Sequence, residues 1–222
     1  MAIHGRSEVK VAAVIDRLSA CAPADASTGY CADINAPNAI EDLVEKVGSQ
    51  LGRIDAVIDC VATGPAGVIG RFRDTDPRAY AGFAEASMVH LQRLAHAALP
   101  WLGRQGGTLI AFASDAGRFA APRQTMIGAS RAGMMGFIRN LALEVASEGV
   151  RAHCISPSFV EGSDSMKRGA GSGASRIEKA RQRAGLGLPT AADIAPLVLF
   201  LCGEGARRIT GQVISINGGL NA

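Results

Sequence analysis

Few residues in this chain combine a reactive side chain with a position where folding could present it to a substrate. Asp59 and Ser114 each lie at the end of a predicted strand, and Arg131 lies in the helix that follows the second strand. A carboxylate, a hydroxyl and a guanidinium could together bind or polarise a small polar molecule. None of the three has an evident neighbour in the sequence that would shift its pKa toward catalysis.

The cysteines and histidines do not have the spacing of a metal site. The five cysteines include no C-x-x-C pair, and His90 and His96, six residues apart, fall on different faces of a helix. We therefore predict no metal, and we expect reduced, mostly buried thiols in a cytoplasmic protein. The cysteines are Cys21, Cys31, Cys60, Cys154 and Cys202.

One glycine-rich stretch, residues 169–174, formally matches the dinucleotide-binding pattern G-x-G-x-x-A. That pattern has meaning only between the first strand and helix of a βαβ unit, where backbone N–H groups meet a pyrophosphate. Here it continues a polar run that begins at Ser163. We interpret residues 163–174 as a flexible loop, and whether this loop contacts a ligand stays open.

Short β-branched runs alternate with segments of helical period, which indicates a doubly wound, mostly parallel α/β sheet. A chain of 222 residues with 48% hydrophobic content can bury one core, so we predict a single domain over residues 1–222. Strands are predicted at 54–61, 108–113, 150–156 and 212–216, and helices at 35–48, 78–102, 124–147, 175–184 and 190–202. Thr190 and Asp193 form a capping-box pattern at the start of the last helix.

The first unit has two interpretations. Residues 9–15 have the length and β-branching of a buried strand, which favours them as the first strand. Alternatively, Ser7-Glu8 opens a helix to Leu18, and residues 2–4 form the strand before it. In both cases we expect the first strand to fill the central slot of the sheet, because an empty slot would leave backbone groups of its neighbours unpaired.

Charge and hydropathy exclude several classes of function. The net charge of +3 is small and the basic residues are scattered, which argues against a nucleic-acid-binding protein. No apolar run reaches the roughly 18 residues of a membrane span, and the amino terminus lacks a signal-peptide pattern. The expected protein is soluble and cytoplasmic.

Three segments carry a family resemblance. They are L-I-A-F-A-S-D-A-G at 109–117, S-R-A-G at 130–133, and I-T-G-Q-V-I at 209–214 followed by N-G-G at 217–219. From Cys31 onward the chain resembles the short-chain dehydrogenase/reductase family. The resemblance implies a single Rossmann-like, doubly wound α/β domain that lacks about one N-terminal βα unit and its glycine-rich loop.

The resemblance also implies where catalytic groups would lie. In the family, a tyrosine is the general acid or base, a lysine four residues on lowers its pKa, and a serine and a helix asparagine assist. The matching positions here hold Ile127 for the tyrosine, Arg131 for the lysine, Ser114 for the serine and Ser87 for the asparagine. Because isoleucine has no proton to transfer, we predict no catalytic residue.

The cofactor-binding positions implied by the resemblance are altered as well. No T-G-x-x-x-G-x-G loop occurs between Met1 and Asp33, residues 59–62 read D-C-V-A in place of N-N-A-G, and Ser158 replaces a glycine. Asp33, on the adenine side, is retained. We therefore predict no cofactor in this chain.

These losses imply a non-catalytic subunit that stabilises an active paralogue, which binds NAD, in a hetero-oligomeric alcohol dehydrogenase. The expected contacts are the helices 78–102 and 124–147 and the C-terminal helix and strand, in a heterotetramer. The family includes dehydrogenases of anaerobic toluene degradation that pair one active and one inactive short-chain subunit. The corresponding reaction is oxidation of 2-[hydroxy(phenyl)methyl]succinyl-CoA to benzoylsuccinyl-CoA.

Two alternatives to this role remain open. One is a free-standing non-redox enzyme, a lyase or cyclase, that uses Ser114, Asp59 or Arg131 in a remodelled pocket. The other is a ligand-binding module.

Overall fold

The structure, a computed structural model, describes residues 1–23, 26–61, 67–169 and 174–221. The strands are β1 (Ala2–Gly5), β2 (Thr28–Cys31), β3 (Ala56–Asp59), β4 (Thr108–Phe112), β5 (Arg151–Pro157) and β6 (Val213–Ile216). The helices are α1 (Glu8–Ser19), α2 (Ala39–Leu51), α3 (Tyr80–Ala84), α4 (His90–Leu102), α5 (Thr125–Glu144), α6 (Asp164–Gly169), α7 (Ala174–Arg183) and α8 (Ala191–Cys202). A π-helical turn, Glu85–Val89, joins α3 to α4.

The larger sheet is parallel and has the order β3-β4-β5-β6. Alternate residues of β4 point to opposite layers: Leu109 packs with α4 and α5, whereas Ile110 packs with α8. Strands buried on both faces are typical of parallel sheets, which explains the continuous apolar runs in the sequence. The predicted α/β Rossmann-like fold is confirmed.

The first unit follows the less favoured interpretation. Residues 9–15, which we favoured as a strand, lie inside α1, and β1 is Ala2–Gly5. The Ser7 hydroxyl caps α1 by accepting a hydrogen bond from the Lys10 N–H group. Only Val11 of α1 is buried, so the valine-rich composition reflects one contact with β1 and β2 rather than a buried strand.

The prediction that the first strand fills the central slot is wrong. β1 pairs in parallel with β2 in a separate two-stranded sheet, and no hydrogen bond between described residues joins β1 to β3. After β1, helix α1 returns the chain so that β2 pairs with one edge of β1. The opposite edge of β1 is not paired with any described strand. β3 therefore forms the edge of the larger sheet.

Two smaller predictions also need correction. The stretch treated as a loop contains α6, and the glycine pattern at 169–174 lies largely outside the described residues. The cysteines are not mostly buried: Cys154 is buried and Cys202 intermediate, whereas Cys21, Cys31 and Cys60 are exposed.

The capping box at Thr190 and Asp193 is confirmed. Both the Thr190 N–H and hydroxyl groups donate to the Asp193 carboxylate, at 2.7 Å each. These hydrogen bonds lower the pKa of Asp193. Among the described residues, none of the helices combines the length and the apolar character that a membrane crossing requires.

His153, on β5, is completely buried. Burial is the main reason that its pKa falls to about 4, and the charge of Arg151 lowers it further. Between its ordinary pKa of about 6.5 and that value, the unfolded chain binds a proton that the folded chain does not. Stability should therefore decrease as the pH falls through this window.

We predict that His153→Leu removes most of this acid sensitivity, because leucine has a similar volume and does not titrate. In the native chain, the free energy of unfolding should fall by up to about 3 kcal/mol between pH 7 and pH 4. In the variant, this decrease should be much smaller. Urea unfolding midpoints measured across this pH range test the prediction. An unchanged pH dependence in the variant would contradict it.

Candidate functional site

The residues that the sequence singled out converge where the strands of the larger sheet end. Asp59 is the last residue of β3, Ser114 follows β4 by two residues, and Ser156 lies near the end of β5. Ligands of doubly wound sheets bind at this carboxyl edge, because the loops and helix N-termini meet there. The first turns of α5, which contain Ile127 and Arg131, pack against the turn that follows Ser114.

Two glycines allow the turn after Ser114 to lie directly against α5. A Cβ atom on Gly117 would sit 2.7 Å from the Ala132 backbone nitrogen, and one on Gly128 would sit 2.7 Å from the Ala116 carbonyl oxygen. Both distances are shorter than any side chain tolerates next to a rigid backbone. The structure therefore brings Ser114 and the beginning of α5 together, as the resemblance implied.

The Ser114 hydroxyl forms a hydrogen bond within its own turn. Its hydroxyl accepts a hydrogen bond from the Ala116 N–H group at 3.3 Å and caps the short 3-10 turn Asp115–Gly117. The side chain is partly exposed, so it could still contact a small molecule.

Ser87 lies in the π-helical turn, a feature often found at functional sites. Its side chain is completely buried and donates to the Phe83 carbonyl at 2.6 Å. Because that bond uses the single hydroxyl proton, the Ser130 hydroxyl must donate in the 2.6 Å contact between Ser87 and Ser130. Ser87 thus joins the two long helices and does not face a substrate.

Ile127 and Arg131 occupy successive turns of α5. Ile127 is partly buried and provides no acid or base. Arg131 is 9% exposed, and its guanidinium contacts the Met134 sulfur at 2.8 Å. Burial lowers the pKa of Arg131, and the nearby charge of Asp59 opposes that change. The guanidinium is therefore an internal positive charge close to the Asp59 carboxylate.

A buried hydrogen bond that sequence reasoning missed lies beside Arg131. His90 Nε2 is 3.0 Å from Asp59 Oδ2, and the two side chains are 4% and 1% exposed. The other oxygen of Asp59 accepts from the Val61 N–H group at 3.1 Å. The position of Asp59 at a strand end was the available signal, but its partner is 31 residues away on a helix.

Burial also excludes the adjacent thiol from chemistry. Cys154, on β5, is completely buried, and burial raises its pKa to about 12. It remains a protonated thiol at neutral pH and packs as a small apolar side chain.

A second missed cluster forms around Asp115. Its carboxylate accepts hydrogen bonds from the Ser156 hydroxyl at 3.0 Å, the Ser215 hydroxyl at 2.6 Å and the Asn217 amide at 2.6 Å. Asp115 is 2% exposed, and it ties together the ends of β4, β5 and β6. The polar residues that directly follow neighbouring parallel strands were the signal for this cluster.

The turn between β1 and α1 is not glycine-rich. β1 is followed by Arg6 and Ser7 and then by α1, so one glycine, Gly5, precedes the helix. Asp33 is exposed, and its carboxylate accepts from the Asn35 backbone and side chain at 3.1 and 2.8 Å. These bonds lower its pKa. In the described part of the chain, no group of three His, Cys, Asp or Glu side chains is placed to hold a metal.

The sequence model of the family described as enoyl-(acyl carrier protein) reductase matches residues 1–221. A crystal structure of a short-chain dehydrogenase/reductase from Burkholderia xenovorans superposes with a TM-score of 0.86 at 23% identity, over 99% of this chain and 83% of that one. The chain belongs to the short-chain dehydrogenase/reductase family. Membership of this family makes the protein an oxidoreductase of the short-chain type.

Two further relatives are similar. The 3-oxoacyl-[acyl-carrier-protein] reductase FabG of Thermotoga maritima is 26% identical over 197 residues, which cover 86% of this chain and 76% of the relative. A 7α-hydroxysteroid dehydrogenase, solved with NADH and 7-oxo glycochenodeoxycholic acid, superposes with a TM-score of 0.87 at 20% identity. That superposition covers 98% of this chain and 83% of the dehydrogenase.

We predict that Gly128→Ala destabilises the protein by about 1–3 kcal/mol, because its Cβ would meet the Ala116 carbonyl oxygen and force the Ser114 turn off α5. Gly136→Ala, in the same helix, is the matched control. No atom lies within 4 Å of its added Cβ, so it should be neutral or stabilising by up to about 1 kcal/mol. Equal thermal midpoints for the two variants would refute the close contact.

We predict that His90→Leu destabilises the protein by about 3–5 kcal/mol, because it leaves the Asp59 carboxylate buried and unpaired. Adding Asp59→Asn to that variant should restore a large part of the loss. The amide is neutral, and its oxygen can still accept from the Val61 N–H group. Denaturant unfolding of both single variants and the double variant measures the coupling; additive effects would show that the two side chains do not interact.

Proposed function

We propose that this chain is a non-catalytic subunit of a hetero-oligomeric, NAD-dependent short-chain alcohol dehydrogenase, and that it stabilises a paralogous subunit that performs the reaction. The observation that carries the proposal is Ile127. It lies on the first turn of α5, next to Gly128, which packs against the turn that follows Ser114, and the family resemblance places the proton-transferring tyrosine at this position. The neighbouring arginine is buried against Met134 and cannot replace that group.

The cofactor side supports the same conclusion. Dinucleotide binding requires several free backbone N–H groups and close approach of the pyrophosphate to a glycine-rich turn. The turn between β1 and α1 contains Arg6 and Ser7, and the Ser7 hydroxyl already occupies an N–H group at the helix start. NAD is therefore assigned to the partner subunit.

The exposed face of α5 supports assembly with a partner. Ala129, Ala132 and Gly136 form a row of small residues along this face, and Leu143 at its end is 82% exposed. Small residues on a helix let a second helix approach closely. On α8, Leu199 is 72% exposed and Phe200 is 47% exposed, which is the second surface assigned to the partner.

In its most specific form, the proposal assigns to the complex the oxidation of 2-[hydroxy(phenyl)methyl]succinyl-CoA to benzoylsuccinyl-CoA, in a heterotetramer. Support for an acyl thioester substrate comes from relatives such as FabG, whose name specifies a 3-oxoacyl substrate. The aromatic group in that substrate rests on the family resemblance alone.

The Asp59–His90 pair could in principle act as a base in a free-standing non-redox enzyme. Its burial argues against this second function, because neither side chain can reach a substrate without opening of the core. Turnover by the isolated chain without nicotinamide, lost on Ser114→Ala, would favour the alternative.

We predict that NADH binds the complex with a full-length paralogue at one cofactor per pair and does not bind the isolated chain. Co-expression with a paralogue encoded nearby, followed by calorimetric titration of both samples, makes the measurement. Binding by the isolated chain would overturn the proposal, as would purification of a stable homo-oligomer that ignores the paralogue.

Gly136→Arg tests the interface in the same experiment. The chain itself has room for this side chain, but a partner helix packed on α5 does not, so co-purification should fall by about tenfold or more. Val9→Arg, at an 80% exposed position on α1, is the control and should leave co-purification unchanged.

A further inference from the structure

Two loops meet at the carboxyl edge of the larger sheet. The first loop, residues 67–79, follows β3, and the second, residues 118–124, connects the Ser114 turn to α5. The Gly70 N–H group donates a hydrogen bond to the Arg123 carbonyl at 3.0 Å. Because Arg123 lies two residues before α5, this bond holds the first loop next to the start of that helix.

The backbone of Arg123 is strained. Its φ angle of 71° lies in the left-handed region, which residues other than glycine rarely adopt. Strain of this kind persists only where neighbouring contacts impose it, and it is frequent at binding sites. Here the contacts are the bond from Gly70 and a turn in which the Gln124 N–H group donates to the Ala121 carbonyl at 3.0 Å. They keep Arg123 beside the first loop while its side chain stays exposed.

Phe72, in the first loop, is exposed yet fixed in place. It is 55% exposed, and its ring stacks on that of Tyr80 with 6.1 Å between the ring centroids. The Thr75 hydroxyl donates to the Phe72 carbonyl at 2.7 Å, so Tyr80 is the donor in the 2.6 Å contact between the Thr75 and Tyr80 hydroxyls. Ile69, in the same loop, is 48% exposed. Apolar side chains that are held rigidly in water lose little conformational entropy when a partner covers them.

The two loops also carry unpaired positive charge. Together they contain five arginines and two aspartates. Arg71, Arg73 and Arg123 are exposed, and none of the three forms an ion pair with another described residue. Arg71 and Arg73 directly flank Phe72 in the chain. Ile69, Phe72 and the three arginines are here called the arginine–aromatic patch.

We propose that the arginine–aromatic patch binds an acidic segment of a partner protein, in which apolar side chains lie among the carboxylates. A guanidinium pairs with a carboxylate through two parallel hydrogen bonds, which gives such a contact both strength and orientation. Arginine and aromatic residues are also the types that most often dominate the energy of protein interfaces. The patch lies outside the α5 and α8 faces assigned to the paralogue, so this inference does not depend on the proposed function.

The composition of the patch favours a protein over a membrane or a nucleic acid. Recognition of an anionic membrane surface uses clusters of about four to eight basic residues, and Asp74, exposed in the same loop, would oppose it. A nucleic acid would require a longer basic stripe, whereas the whole chain has a net charge of +3. Three arginines around two apolar side chains instead match the few carboxylates and the apolar anchor of a short acidic segment.

The test is a binding titration of the full chain with a labelled probe peptide, followed by fluorescence anisotropy. The probe is a helical peptide of about sixteen residues, with leucine at every third or fourth position and glutamate at the others. A control peptide has glutamine in place of glutamate. We expect the glutamate peptide to bind at least about tenfold more tightly than the glutamine peptide, and its affinity to fall as salt is added.

Substitutions in the patch provide a second arm. Arg71→Glu combined with Arg73→Glu should weaken binding of the glutamate peptide by about tenfold or more, and so should Phe72→Ala. The matched control is Arg207→Glu combined with Arg208→Glu, which changes the net charge equally at two exposed positions outside the patch. Binding by this control should be nearly unchanged.

Three outcomes would overturn the proposal. Equal binding of the two peptides by the native chain is the first, and this comparison does not require any variant to fold. The second is an equal loss in the two double variants, because it would show attraction to net charge alone. The third comes from vesicles of phosphatidylserine and phosphatidylcholine: if the native chain binds them but not the peptide, and Phe72→Ala abolishes that binding, the partner is a membrane.

Discussion

The structure depends on which hydrogen-bond partners the backbone groups of β3 have. A parallel strand is normally paired on both sides and covered on both faces, since its N–H and C=O groups and its apolar side chains all avoid water there. β3 has β4 on one side and no described strand on the other. The exposure of Ile58 and the separation of the β1–β2 pair from the larger sheet both accompany that open edge.

Close packing holds the candidate site together. Gly117 and Gly128 hold the Ser114 turn against α5, and the serine pair Ser87–Ser130 locks α5 to the π-helical turn. Next to this packing lie Arg131, Asp59 and His90, which are all buried and contact other residues of the chain. Such a cluster stabilises a particular arrangement of helices and strands only while its members stay together, since each would be costly alone. A role in supporting a partner is consistent with a site built in this way.

The polar residues at the sheet edge share one task. Asp115 accepts three hydrogen bonds from residues of β5, β6 and the turn after β6, and so joins segments that are about 40 to 100 positions apart in the chain. Its neighbour Ser114 attracts attention in the sequence because of the family resemblance, but the geometry gives the larger structural role to Asp115. The chemistry of a residue type is visible in the sequence, whereas its partners are decided by which strand ends meet.

The strands and helices from Ala39 onward were predictable because their apolar periodicity and caps are local. The long helices and the strands β3 to β6 start and end within a few residues of the predicted positions, and the capping box at Thr190 acts as expected. Local patterns could not decide the first unit, because a short valine-rich run satisfies both a strand and a helix with one buried face. These residues form a helix because the Ser7 hydroxyl caps its start and Val11 is the one residue of the helix that has to be buried.

By itself, the sequence determined the family and the fold class, because both depend on residue types at given places in the chain. Only the tertiary structure decided that His90 pairs with Asp59, that Ser87 serves α5, and that β1 leaves β3 with an open edge. These outcomes depend on distances between segments far apart in sequence, and such distances are set by the packing of the whole chain.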